Sequence, residues 1–400
     1  MNLLNIQNPQ TDTPFSVFVL GFRPFFLAAA IFAILSMSMW MAIYGFSIPF
    51  PLTGQAPFQW HAHEMIYGYT MAVVAGFLLT AIKNWTGVQT IQYRPLMLLF
   101  SLWLGARLCF LFGTDYLLLA AILDLVFNLF LGIAMLLPVV RVKQWTQVGI
   151  ISKIFLLGLF NSFFYLGALG VLDQGIHWSM SGGLMLLIAL VLTMGRRVMP
   201  FFIEKGVGYP LQLKNSRFLD ISSLLLFLVF ALTQVFMTEP EMTGYAAALL
   251  FIISSIRLYN WHTRGIWSKP LLWGLYSASM FISFGFLLFA LLPYTRHITP
   301  SMGYHAFSFG GIAIITLSMM ARVTLGHTGR NIQQSSRWIS IAQLLLLLGA
   351  IVRVIAPALI PAWYPDWIVI SQVLWIAAFV LFVWVNFGFL TKPRIDGAAG

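Results

Sequence analysis

Long apolar runs separated by short polar connections fill almost the whole chain. Twelve of these runs have the length that an α-helix needs to cross a bilayer, about 20 residues. We expect the spans at 24–45, 62–82, 94–113, 116–138, 151–171, 179–200, 218–237, 243–262, 269–292, 303–325, 337–356 and 366–390. The runs are continuous rather than alternating, which excludes a transmembrane β-barrel and predicts an all-α polytopic membrane protein.

The connections are too short to hold a soluble domain. Only 46–61, 196–217 and 322–337 are long, and each is shorter than a folded domain requires. We therefore expect one integral membrane domain over 1–400, with a bundle at 24–390 between the short segments 1–22 and 391–400.

Lys and Arg residues gather in alternate connections. The termini and the even-numbered connections hold eighteen of them, whereas Arg296 stands alone on the opposite side. Positive charge of this kind marks the cytoplasmic side of a membrane protein. Both termini are therefore expected in the cytoplasm.

Composition agrees with this class of protein. The chain is 60% hydrophobic and 8% charged, with a net charge of +11. The basic residues lie at span ends, where they face phospholipid headgroups, so the expected partner is the lipid bilayer and not nucleic acid. The single Cys109 gives no disulfide framework. No nucleotide-binding, zinc-hydrolase or CxxC motif is present.

Spans two and ten carry a weak internal repeat. At an offset of 242 residues His63 falls on His305 and Gly68 on Gly310, and His177 in span six occupies a similar place. Because these spans are four apart, they suggest three modules of four helices. The three histidines would then lie at one depth in the bundle.

Seven histidines are the main candidates for chemistry, because neutral imidazole is the commonest metal ligand in proteins. Two of them, His262 and His327, lie at cytoplasmic span ends. The other five lie on the side expected to be periplasmic: His61, His63, His177, His297 and His305. The alternative for each is an interfacial histidine that hydrogen-bonds loop carbonyls.

His63 and His305 would face each other across the bundle and could supply both axial ligands of a haem iron. Side chains two positions apart on an α-helix point in directions that differ by about 200°. His61 and His63 therefore cannot share a metal on a regular helix. Either His61 precedes the first turn or the two serve different partners.

A second metal such as copper is also a candidate. His61 could bind it together with His177 or His297, and Met65 would supply a soft neighbour one turn further along. His327 is a further candidate ligand, although it directly precedes a Thr-Gly helix stop that explains most of its surroundings.

Charged residues inside spans are expensive in lipid and usually face a partner or the bundle interior. Arg107 and Arg353 lie in the outer part of the bundle, where haem propionates would need cations. Arg107 lies at a similar depth to Asp124, so a structural ion pair is the alternative. Glu64 beside His63 could stabilise a helix start, orient an imidazole or relay a proton.

Five motifs occur in this order along the chain: GFRPFF at 21–26, WHAHEM at 60–65, NWTG at 84–87, RVMPFF at 197–202 and LGHTGR at 325–330. Together they resemble the NnrS family of bacterial inner-membrane proteins, and the resemblance covers nearly the whole chain. It implies a twelve-span protein of the bacterial inner membrane that binds haem and copper and takes part in the response to nitric oxide and denitrification intermediates. The matching histidines are His61, His63, His305 and His327.

The chain differs from this family in spans five and nine. The resemblance implies histidines there, whereas this sequence has Tyr165 and Tyr276. The difference leaves copper binding open. Haem binding is less affected, because His63 and His305 remain.

Three functions fit the sequence. The first is a membrane protein that binds a haem, expected to be b-type, and protects against nitric oxide or a related small molecule. The second is a secondary transporter of a small anion or metal complex, since twelve spans and a weak repeat are common in carriers. The third is an oxidoreductase that transforms nitric oxide. The sequence does not indicate the electron donor.

Overall fold

The computed structural model describes residues 16–49, 56–237 and 239–397. Most of the expected N-terminal segment and the last three residues of the tail lie outside these ranges. Within them, twelve helices are long and apolar enough to cross a membrane, which confirms the expected all-α polytopic fold. They are α1 (Phe22–Phe46), α2 (Pro57–Thr86), α3 (Tyr93–Leu111), α4 (Thr114–Arg141), α5 (Trp145–Ala168), α6 (Gly175–Gly206), α7 (Arg217–Phe236), α8 (Pro240–Trp261), α9 (Pro270–Tyr294), α10 (Pro300–His327), α11 (Arg337–Leu359) and α12 (Pro361–Thr391).

Several helices extend beyond the apolar runs into polar sequence. Helix α2 begins at Pro57 and α10 at Pro300, and both prolines occupy the first helical turn. Proline is favoured there because its fixed φ suits the helix and its missing N–H would have no partner in any case. One consequence is that His61 and His63 both lie inside α2.

Helices α2 and α10 form the centre of the bundle. The most hydrophobic windows of these two helices are 89% and 78% buried, against 28% for α7 and α8. Helix α1 packs against α2 and α12, α12 packs against α11, and α11 packs against α10. Helix α6 contacts both central helices and closes the ring. These six helices therefore form a ring that encloses a space at one end of the bundle.

The two central helices share an unusual backbone feature. Each changes from α- to π-helix near its start, at Glu64–Thr70 in α2 and at Ala306–Ala313 in α10. Such π segments often mark functional sites. Helix α6 is α-helical throughout, so it does not share this feature. The grouping into three four-helix modules stays a prediction.

The register of this repeat changes along the helix. Pro57 and Pro300, which begin the two helices, lie 243 positions apart. Gly87 and Gly329, which follow the helix ends with positive φ, lie 242 positions apart. The π segment has seven residues in α2 and eight in α10. The π segments begin 242 positions apart and end 243 positions apart, so the two helices do not keep a single register along their length.

The start of α1 and the end of α12 meet at one end of the bundle. Arg23 is fully buried and donates from Nη1 to the carbonyl oxygens of Phe389, Leu390 and Lys392 at 3.2, 3.3 and 2.6 Å. Ser16 donates to the carbonyl of Thr391 at 2.6 Å. The last carbonyls of a helix lack partners within it, and here Arg23 supplies them for α12. Arg23 is thus a helix cap rather than a headgroup anchor.

Replacing Arg23 with methionine should lower the stability of the bundle. The variant keeps the apolar stem but loses hydrogen bonds from a charged donor, which contribute about 1.5–3 kcal/mol. We expect a thermal midpoint several degrees below that of the parent in detergent. Arg296→Met, at an exposed connection residue, is the matched control. Equal midpoints for the two variants would show that the cap is dispensable.

Candidate functional site

A cavity of about 540 Å³ opens among α1, α2, α6, α10, α11 and α12, near the end of α1 and the start of α12. This volume lies in the range of about 300–1,000 Å³ that is usual for ligand and cofactor sites. Aromatic and aliphatic side chains form most of its wall. The wall also contains side chains that could bind a metal or hydrogen-bond a ligand, and these include His61, His177, His305, Arg353 and Gln372.

Helix α2 presents its two histidines to different surroundings. His61 lines the cavity and stacks on Trp40, with ring centroids 4.7 Å apart and an interplanar angle of 9°. Its Nδ1 atom is buried and has no hydrogen-bond partner. His63 does not line the cavity. The expectation that the two serve different partners is therefore correct, and His61 is the one that reaches the central space.

His305 is held in one orientation on α10. Its Nδ1 lies 2.7 Å from the carbonyl oxygen of Ser301, one turn earlier. A carbonyl oxygen can only accept, so Nδ1 carries the proton and donates. Nε2 is then the free base of the ring. Metal-bound histidines usually show this arrangement, in which the second nitrogen donates to a carbonyl or carboxylate.

The other polar groups of the cavity come from three helices. Arg353 on α11 is 9% exposed and donates from Nη2 to Ser301 Oγ at 3.2 Å, while its Nη1 has no hydrogen-bond partner. Gln372 on α12 is 3% exposed, and neither amide atom has a partner. His177 on α6 is exposed and lies at the edge of the cavity.

His63 belongs to a second, fully buried polar cluster. Its Nδ1 lies 2.9 Å from Glu64 Oε1, and its Nε2 lies 2.9 Å from Asn161 Oδ1. Arg107 joins the cluster from α3, with Nε 3.2 Å from Glu64 Oε2 and Nη2 bound to Asp124 Oδ2. We call these five residues the charged cluster. They tie the start of α2 to α3, α4 and α5.

The charges of this cluster balance. Asn161 donates from Nδ2 to Asp124 Oδ2 at 3.3 Å, so its amide oxygen is the atom that faces His63. Both nitrogens of His63 thus face oxygen atoms, an arrangement that favours a doubly protonated ring. Two cations then face two carboxylates. Tyr165 adds a hydrogen bond to Asp124 Oδ2 at 2.7 Å.

This geometry corrects two expectations. His63 and His305 do not meet in one space, because both nitrogens of His63 are engaged in the charged cluster. Arg107 is also enclosed there and does not reach the cavity, so the alternative of an ion pair with Asp124 is the correct one. The arrangement instead brings His61, His305 and Arg353 together.

The remaining candidates are dispersed. His327 lies 22 residues after His305 on the same helix, which corresponds to roughly 30 Å. Its Nε2 lies 3.3 Å from Asn84 Nδ2, so it cannot share a ligand with the cavity histidines. His297 is exposed in a connection outside the cavity. Tyr276 packs beside His262, which follows the end of α8.

Metal binding by side chains alone finds little support in these positions. In the described parts of the chain, no group of three or more His, Cys, Asp or Glu side chains is arranged to hold a metal ion. Haem iron has a smaller requirement, since the porphyrin supplies four nitrogens and the protein one or two axial ligands. The cavity histidines meet that requirement.

Sequence reasoning missed Gln372, Trp40 and Ser301. Gln372 had a usable signal, because it is a polar residue within a long apolar span and such residues tend to be functional. Trp40 and Ser301 are common residue types at span ends. Only the folded arrangement shows that they hold His61 and His305.

Comparison with known proteins adds the family. No curated protein matches the chain. The profile of the NnrS protein family matches residues 16–394, which is nearly the full length and includes all twelve helices. The chain therefore belongs to the NnrS protein family.

Proposed function

We propose that this protein is a haem-binding protein of the bacterial inner membrane that acts in the response to nitric oxide and nitrosative stress. Family membership supports the coarser part, a multi-pass membrane protein of the nitric oxide response. The observation that carries the finer part is His305, whose Nδ1 is fixed on the Ser301 carbonyl and whose Nε2 is free beside a large cavity.

The cavity residues fit haem in three respects. His305 would be an axial ligand, and His61, with its unpartnered Nδ1, would be a second or displaceable one. Arg353 would face the carboxylates. The single Cys109 does not line the cavity, so attachment would be non-covalent, as in b-type haem. Haem iron supplies the capacity to bind nitric oxide, a small neutral molecule, when an axial position opens.

Copper is a second candidate occupant of the same cavity. Three thioethers, from Met37, Met65 and Met180, line it together with His61 and His177. Thioether and imidazole ligands suit copper(I). Neither Tyr165 nor Tyr276 lines the cavity, so their presence does not bear on this site. Transport and enzymatic turnover of nitric oxide stay predictions.

Optical spectroscopy tests the proposal. Protein purified from cells supplied with ample haem should show a Soret band and yield about one haem b per chain by pyridine haemochrome analysis. Reduction with dithionite followed by nitric oxide should shift that band, because the gas takes an axial position. Protein that contains no haem under these conditions would refute the proposal. Metal analysis of the same sample tests copper.

A further inference from the structure

We infer that Arg353 and Gln372 form a recognition site for a planar oxyanion, a carboxylate or a free anion of the same shape such as nitrite. The site lies in the cavity of the proposed function. Only one of its two ligand sources, the carboxylate of a bound haem, rests on that function. The other requires no iron.

The first support is an unbalanced buried charge. Arg353 is almost fully enclosed, and no ion pair joins it to any of the described residues. The wall of the cavity contains no Asp or Glu. Two other guanidiniums inside the bundle have carboxylate partners: Arg107 has Asp124, and Arg257 has Asp220 at 3.1 Å. A buried cation without a counter-ion is costly, and an anionic ligand would remove that cost.

The second support is the geometry of the donors. Nη2 of Arg353 is anchored on Ser301, and Nη1 remains without a partner. Gln372 contributes an amide whose nitrogen and oxygen are both unpartnered. A guanidinium fork and an amide N–H match the two oxygens of a planar anion better than they match a spherical ion such as chloride.

The third support is a tyrosine beside the guanidinium. Tyr364 lies close to Arg353 and lines the same cavity. Tyr364 and Gln372 are eight residues apart on α12, about two turns, and therefore lie on one face of that helix. Ser301 of α10, Arg353 of α11 and two residues of α12 thus line one cavity. Water alone would satisfy the hydrogen bonds there but would leave the charge unbalanced.

Two binding measurements on haem-free protein test the inference and distinguish the sources. The first compares haem with its dimethyl ester, which lacks the carboxylates. The second titrates sodium nitrite and sodium acetate against sodium chloride at equal ionic strength, with thermal stabilisation as the readout. A charge-assisted pair corresponds to about 10- to 100-fold in affinity. We expect that factor between haem and ester, between nitrite and chloride, or in both comparisons.

Arg353→Gln should remove whichever preference the parent shows, and Gln372→Leu should reduce it. Arg353→Lys keeps the charge and loses the fork, so it serves if the glutamine variant does not fold. Arg296→Gln is the matched control. A preference for haem over its ester alone assigns the site to the cofactor, and a preference for nitrite alone assigns it to a free anion. Preferences that are absent in the parent, or unchanged in Arg353→Gln, would overturn the inference. Protein without a Soret band that binds nitrite would refute the proposed function and leave this inference standing.

Discussion

Replacing His305 with alanine should abolish stable haem binding. The imidazole is the one cavity ligand whose tautomer is fixed, by a 2.7 Å hydrogen bond to the Ser301 carbonyl. Loss of an outer hydrogen-bond partner alone costs about 10- to 100-fold in metal affinity, so loss of the ligand itself should cost on the order of 100-fold or more. Haem content per chain, measured by pyridine haemochrome on purified protein, gives the result.

Three further histidine variants make this prediction specific. His61→Ala should retain haem but change its ligation, which the visible and electron paramagnetic resonance spectra report. His63→Gln and His327→Ala should keep the parent spectrum in whatever folded protein they yield. Suppose instead that a folded His63→Gln variant loses its haem and a His61→Ala variant keeps the parent spectrum. That result would support His63 and His305 as the two axial ligands, as expected from the sequence. Unchanged haem in His305→Ala would exclude this cavity.

Hydrophobicity predicted the membrane spans well for a physical reason. A segment in lipid must satisfy its own backbone hydrogen bonds, so each apolar run of sufficient length becomes one helix. The ends were less predictable. Helix α2 begins five residues before the apolar run at 62–82, and α6 continues to Gly206. Polar residues in the interfacial turns remain helical although no hydrophobic pattern marks them.

The sequence paired His63 with His305, whereas the structure places His61 and His305 at the cavity, because sequence does not reveal helical phase. Matching at an offset of 242 aligned His63 with His305 and Gly87 with Gly329. At the outer end the prolines align at 243, and His61 then falls on Tyr304, a cavity residue. One residue turns a helix by about 100°, enough to exchange a cavity position for a buried one. No residue pattern signals this change of register.

The charged residues inside the spans were easy to identify from the sequence, but their roles were not. Asp124 and Arg107 were expected at similar depth, and they do form an ion pair. Arg107 and Arg353 looked alike in sequence, however, because each is a single arginine in the outer part of a span. Their roles differ because α4 supplies an acid to Arg107, whereas the helices around Arg353 supply serine, glutamine and tyrosine.

Replacing Asp124 with asparagine should be the most damaging single change in the bundle. The carboxylate is fully buried and accepts hydrogen bonds from Arg107, Asn161 and Tyr165. The substitution keeps the size of the side chain but leaves two cations opposite one carboxylate. Removing one partner of a buried ion pair typically costs about 3–5 kcal/mol. We expect little folded protein by gel filtration in detergent and a large loss of thermal stability in the remainder.

A double variant shows whether unpaired charge, rather than lost packing, is the cause. Arg107→Met combined with Asp124→Leu leaves His63 and Glu64 as a balanced pair. Since no uncompensated charge remains, this variant should be more stable than either single change, which is a favourable coupling energy in a double-mutant cycle. Asp115→Asn is the matched control, because Asp115 is an exposed residue in the first turn of α4. Its thermal stability should equal that of the parent. If the losses of stability in the double variant are additive, the cluster stabilises the bundle through packing. The balance of charge around His63 would then not be what holds the start of α2 in place.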